Sequence, residues 1–316
     1  MTELFSNNTM FSTFVNSLAI LAVCIAVGYI CRKAKILTDD LNSGLSTLLV
    51  RVTLPCLVFI SMMRPFSRTL LLDSLATLFL SGAVYISGYF IGGWLARLMG
   101  VQDSVKKVWQ FSLIFANVGY MGFPIIQAIY GNEAMMYTSM ANVSFNVLAF
   151  TMGIYLFKKN VGSINFSTIK PIILNPALIA IYIGFIFFVT GFRLPYVMNE
   201  GITLVGNMTT PLSMLLVGSI LAKSRPLSLI NDPRVLPVIV VRLIGIPLVT
   251  FFVFRLFIQN TVMLSVIVIL AAMPAAALTV IFAEQYKGNT EEASKLVAIS
   301  SLLCLVSIPL ISLILP

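Results

Sequence analysis

Asn117-Val118-Gly119-Tyr120-Met121-Gly122-Phe123-Pro124 lies in the middle of an apolar run that extends from 108 to 130. A run of that length matches one helix crossing a hydrocarbon core of about 30 Å, which takes about 20 apolar residues. The two glycines and the proline interrupt it. Proline has no amide N–H and its ring collides with the preceding turn, so the helix must open there. Opened backbone at membrane depth is tolerated only inside protein or along a cavity. Ala271-Ala272-Met273-Pro274-Ala275-Ala276-Ala277 interrupts a second apolar run, 261–286, about halfway along it. Matching interruptions in two spans are the sequence mark of a transport site made from discontinuous helices. The small residues around each proline let two such helices cross closely.

The rest of the chain fits the same environment. Its 316 residues are 59% hydrophobic and 10% charged, with a mean hydropathy of +1.01, whereas soluble domains run near 25% charged. Apolar runs occupy 11–31, 42–63, 69–99, 108–130, 134–157, 172–191, 201–222, 235–258, 261–286 and 293–315. Each reads as a helix, because lipid admits only helices and closed barrels. The expectation is an all-α membrane protein of ten transmembrane helices, the third long enough to tilt. Met1 to Met10 lacks the basic start and cleavage site of a signal peptide, so the first span is expected to be retained.

The net charge of +9 would point to nucleic acid in a soluble protein, but the cations here lie in short loops and no nucleic-acid partner is expected. Arg32, Lys33, Lys35, Arg97, Lys106, Lys107, Lys158, Lys159, Lys170, Lys223, Arg225, Arg234, Lys287 and Lys295 follow the odd-numbered spans. Only Arg64, Arg68, Arg193 and Arg255 follow the even-numbered ones. By the positive-inside rule the odd loops are cytoplasmic and both termini lie outside an inner, or cell, membrane.

An internal echo supports the count. Thr53-Leu54-Pro55 is repeated as Thr209-Thr210-Pro211, at an offset of 156 residues. Tyr130-Gly131-Asn132-Glu133-Ala134 returns as Tyr286-Lys287-Gly288-Asn289 and then Glu292-Ala293, at an offset that begins at 156 again. Residues 1–157 and 172–316 thus read as two five-helix copies joined by a short cytoplasmic connector, 158–171. An odd number of spans per copy makes the copies inverted.

The chemistry is expected where the fourth and ninth spans break. A broken helix exposes half-helix N-termini with partial positive charge, which hold anions without a fixed cation. Candidate substrate contacts are therefore Asn117, Val118, Gly119, Gly122 and Pro124 from one break, and Met273, Pro274 and Ala275 from the other. The Asn117 amide adds a donor for a carboxylate. Asn142 and Asn146, four apart on span 5, share a face beside the crossover or else bond between helices. Gln127, one turn past Pro124, has the same two readings. Arg51 and Arg242 are the basic residues well inside spans. A cation at mid-membrane costs about 2.5–3.5 kcal/mol on insertion scales, so each either serves an anion or coupling role or snorkels to the interface. Glu284, at the inner end of span 9, is a candidate proton or cation site or an interfacial cap.

Enzyme chemistry finds few tools here. His is absent, and Cys24, Cys31, Cys56 and Cys304 form no C-x-x-C pair, so no metal and no cofactor are expected. No acid stands at mid-span to serve a catalytic dyad. The function expected is secondary transport of a small organic anion, a carboxylate, by alternating access, in the efflux direction. Proton- or sodium-coupled uptake of a mono- or dicarboxylate such as malonate or malate stays open, as does, further off, an anion channel.

Leu54-Pro55, the Asn117 to Pro124 stretch in the form N-x-x-x-M-G-x-P, Asn175-Pro176, Arg242 before Pro247, and Met273-Pro274 followed by Phe282-Ala283-Glu284-Gln285-Tyr286 together resemble the auxin efflux carrier family. That family holds bacterial malonate-transporter-like proteins and the plant PIN carriers. The resemblance implies an inverted-repeat fold like that of the bile-acid symporters and NhaA, with crossing broken helices 4 and 9. It implies a scaffold of helices 1, 2, 6 and 7, a transport domain of helices 3–5 and 8–10, an elevator-type motion, and homodimers through the scaffold. It places Asn117 on the substrate carboxylate, with backbone around Pro274 opposite. The chain departs from the plant members in its short connector and in Glu284, where they carry Lys.

Overall fold

The computed structural model describes residues 2–157, 170, 173–223 and 234–315. Among them the backbone is helical, without strands, and one isolated antiparallel bridge joins Ala116 to Ala275. Seven helical stretches are long and apolar enough to cross a membrane: Val15–Lys33, Asp39–Met62, Arg68–Leu98, Val118–Phe157, Tyr196–Ala222, Val235–Phe254 and Thr290–Ser312. Pro176–Thr190 and Thr261–Ala271 are shorter apolar helices. This is a multi-pass, all-helical membrane protein. Most of the connector expected at 158–171, and Arg225, lie outside the described residues.

Residues group into two compact units. The first comprises Met1–Ala76, Gly119–Met140 and Ile173–Lys223. It contains α1 (Thr2–Lys33), α2 (Asp39–Leu48) running through a wide π turn into α3 (Leu54–Met62), and the start of α4 (Arg68–Leu98). A half-helix, here α6 (Phe123–Tyr130), follows, and then the start of α7 (Met135–Leu148), α9 (Pro176–Thr190), α10 (Tyr196–Asn207) and α11 (Thr209–Lys223). Its closest approach is between α1 and α11. A Cβ on Gly28 would stand 2.1 Å from Leu215 O, and one on Gly218 1.9 Å from Ile25 O. Lipid offers little hydrophobic drive between helices, so such glycine contacts are how membrane helices gain packing.

The second unit comprises Thr77–Val118, Ala141–Ile172 and Ser224–Pro316. It holds the rest of α4 and α7, α5 (Asp103–Ile114), α8 (Ile154–Phe157), α12 (Val235–Val240), α13 (Ile246–Phe254), α14 (Thr261–Ala271), α15 (Leu278–Gln285) and α16 (Thr290–Ser312). Its core is formed by two half-helices. Every residue from Val108 to Ile114 in α5 and from Met263 to Ala271 in α14 is buried. A helix apolar on all faces belongs inside a bundle. Gly88 and Gly92 of α4 lie against Leu113 O and the Gln110 backbone, where a Cβ would meet atoms at 2.7 and 2.9 Å.

Three prolines leave the same imprint. The π turns Leu49–Thr53, Val118–Gly122 and Val241–Gly245 each precede an X-Pro step, at Pro55, Pro124 and Pro247. A proline ring pushes on the carbonyl four residues back, here that of Arg51, Tyr120 or Leu243, and the helix widens to relieve it. The Thr53-Leu54-Pro55 and Thr209-Thr210-Pro211 echoes differ in outcome. Pro55 continues a helix through a wide turn, whereas Thr209 opens α11 directly after Met208.

Candidate functional site: two helix breaks joined backbone to backbone

The breaks of spans 4 and 9 meet. After α5 ends at Ile114 the chain becomes extended, with Phe115 at φ −101° and ψ 117°. After α14 ends at Ala271 it runs through Met273 and Pro274 before α15 begins. The Asn117 amide donates to Pro274 O at 2.8 Å, and the Ala276 amide donates to Phe115 O at 3.0 Å. These two bonds form the antiparallel Ala116–Ala275 bridge. Each break thus satisfies part of the backbone that the other exposes, as a low-dielectric interior demands. Ser300 of α16 adds a third tie, its Oγ accepting from the Ala275 amide at 3.1 Å.

Arg242 reaches this junction from the wide turn between α12 and α13. Its Nε donates to Met273 O at 3.0 Å and its Nη1 to Leu113 O at 2.9 Å. It is 2% exposed. A planar fork suits two carbonyls at once, which a lysine ammonium does not match. Arg51, at a similar depth in the sequence, is instead exposed.

Asn117, Val118, Met273, Pro274 and Ala275 are brought together in the second unit, all buried. Gly119, Gly122 and Pro124 follow in the wide turn and at the start of α6, and they group with the first unit. A Cβ built on Gly119 would meet no atom within 4 Å. Asn142 and Asn146 are buried and paired, the Asn146 Nδ2 donating to Asn142 O at 2.8 Å and to its Oδ1 at 3.2 Å. Phe145 between them packs on Phe115 with ring centroids 5.8 Å apart, which sets this turn of α7 beside the break. Gln127 accepts from Thr210 Oγ1 at 2.7 Å, a helix-to-helix bond within the first unit.

Glu284 is exposed on α15. The buried acid nearby is Glu292, 7% exposed, which accepts from the Trp109 indole N–H at 2.6 Å. Its own amide is capped by Asn289 Oδ1 at 3.0 Å. Asn289 is the N-cap of α16, and an Asn three residues before a Glu ahead of an apolar run is a sequence signal for such a start. Thr279, in the first turn of α15, is buried with its hydroxyl unpartnered among the described residues. Nothing in the sequence singled out Ser300 or Thr279, since small hydroxyl residues recur throughout these helices.

An all-helical multi-pass chain whose opened backbone is sealed by a second opened helix belongs to the class of membrane transporters. The particular family follows from comparison. A family described as membrane transport protein matches residues 13–312, and the chain belongs to it, which is the auxin efflux carrier family that the motifs resemble. This is a transporter family and not an enzyme class. Among its relatives is the uncharacterized transporter YfdV of Escherichia coli K12, 21% identical over 310 residues, covering 95% of this chain and 97% of the relative. Another is an uncharacterized transporter of Methanothermobacter thermautotrophicus, 24% identical over 302 residues, covering 93% and 95%.

Proposed function

We propose that this protein is a secondary carrier that exports a small organic anion, a mono- or dicarboxylate, by alternating access around the joined breaks. The observation that carries the reading is the backbone pairing of Asn117 with Pro274 and of Ala276 with Phe115. It leaves α15, the helix that resumes beyond the Pro274 break, starting without a side-chain N-cap. Uncapped starts present backbone N–H groups and partial positive charge. Asn117 supplies a neutral amide donor, with Thr279 a further hydroxyl. A carboxylate is the complement of such a set.

In this reading ten spans form two inverted repeats, the chain is a homodimer in the inner membrane with both termini outside, and one unit carries the site past the other in an elevator motion. Export of an anion from a cell that is negative inside gains about 2.3 kcal/mol per charge per 100 mV, enough to drive efflux without another ion. The test begins with a thermal-shift screen of carboxylates, malonate and malate included, on the purified protein, followed by counterflow of any hit in liposomes. Asn117→Ala removes a hydrogen bond to a charged group, about 1.5–3 kcal/mol, and is expected to weaken that ligand by about 10- to 100-fold. Unchanged affinity in a folded Asn117→Ala sample removes Asn117 from the site. A screen in which no carboxylate shifts the midpoint counts against the substrate class.

A further inference from the structure

Two half-helices run into the crossover with their C-terminal ends, α5 at Ile114 and α14 at Ala271. Such an end carries about −0.5 of an elementary charge on its unpaired carbonyls. In carriers built on broken helices, these ends and the unwound carbonyls beside them are where a coupling cation is held. Here they meet a cation of the chain itself. Arg242 takes one carbonyl from each break, Leu113 O through Nη1 and Met273 O through Nε.

The charges match. One guidinium charge faces two helix ends of about half a charge each, and no carboxylate pairs with it among the described residues. Those residues also hold no cluster of three or more His, Cys, Asp or Glu able to bind a metal ion. With Ser81, Tyr85, Ile267, Leu270 and Ala271, Arg242 lines a cavity of about 10 Å³, space for one water and no more. Its Nη2 and the Ser81 hydroxyl are unpartnered there among the described residues.

We infer that Arg242 is the built-in counter-cation of the crossover, occupying the position a coupling metal ion would take, so that the site assembles and cycles with no Na+ bound at it. The inference rests on reading the crossover as a transport site, and it makes Arg242 a positioning residue: it fixes the two breaks that present Asn117 and the α15 start. It also favours potential-driven export over sodium-coupled uptake, because the carbonyls that would hold Na+ are already occupied.

The test reads cation dependence without substrate, so its failure is distinct from failure of the carboxylate reading. Thermal unfolding of the purified full chain is compared in sodium chloride and in choline chloride at equal ionic strength, about 0.15 M. The wild-type midpoint is expected to be the same in both. Arg242→Ala should unfold about 5 °C or more lower in choline and regain part of that loss, saturably, in Na+ or Li+, because a small cation enters the vacated carbonyls. Arg242→Lys should lie between the two and ignore the cation. A saturable Na+ stabilisation of the wild type overturns the inference. So does an Arg242→Ala midpoint that no cation moves, or an Arg242→Lys loss equal to that of Arg242→Ala. Should Arg242→Ala fail to fold, wild type and Arg242→Lys still decide: Na+ stabilisation of either overturns the inference, and indifference of both supports it.

Discussion

At the scale of single residues, sequence and structure separate most clearly at the two mid-span arginines. Arg51 and Arg242 stand at equal depth in their spans, both just before an X-Pro step and both in wide turns, yet one is exposed and the other is 2% exposed. A 3.6-residue period gives depth but not which side of a bundle a turn faces, and a π turn shifts the phase by one residue. That the chain opens near Asn117 was legible from the glycines and proline that follow it, and the structure places the Asn117 amide on Pro274 O. The partner of Gln127 was not legible, since an amide bonds a substrate or a neighbouring helix with equal ease. Gly119 allows a direct test. A Cβ there meets no atom within 4 Å, so Gly119→Val should keep stability within about 0.5 kcal/mol while it fills space at the Gly119 backbone. Gly119→Val is expected to weaken a carboxylate ligand about 10-fold, or 1.4 kcal/mol, measured by titration on the purified protein. Equal affinity in the two proteins means that the substrate does not use that space.

At the scale of elements, the prolines announced where helices open but not how. Pro274 stands in a break, but at Pro124 the chain opens upstream, at Phe115 to Asn117, and Pro124, like Pro55 and Pro247, follows a wide turn that runs on into a helix. The difference lies in what receives the freed backbone: at Phe115 to Asn117 the opposite break supplies donors and acceptors, which a single span cannot reveal. Glycines are equally ambiguous in sequence, since Gly28 and Gly218 look no different from Gly44 or Gly82. Their neighbours decide, with backbone near 2 Å from a built Cβ at the first two and nothing within 4 Å at the others. Because the obstacle at Gly218 is the Ile25 carbonyl rather than a flexible side chain, α1 and α11 must separate to admit a larger residue. Gly218→Leu should therefore cost at least about 1–3 kcal/mol, the usual range for overpacking, seen as a lower unfolding midpoint. Gly82→Leu is the matched control and should move the midpoint little. Equal shifts in the two variants contradict a close α1–α11 contact.

At the scale of the whole molecule, orientation follows from the distribution of charge along the chain. Alternation of Lys and Arg places the loop after span 3 in the cytoplasm and the loop after span 6 outside, with three spans between them. Ser104 and Arg193 are exposed residues in or beside those loops. The native cysteines are free and intramembrane by sequence, so a variant lacking all four is a suitable background. In it, Ser104→Cys should react with a membrane-impermeant maleimide only after the cells are opened, and Arg193→Cys in intact cells. Opposite sidedness requires an odd number of crossings between 104 and 193, where a broken span 4, span 5 and the short helix Pro176–Thr190 must each traverse the membrane. Val118–Phe157 is one long apolar helical stretch and Pro176–Thr190 is a short one, so length alone does not count the crossings here. Labelling of both positions from one side would mean that one of the three does not cross. The two halves would then share an orientation, contrary to the inverted repeat proposed for them.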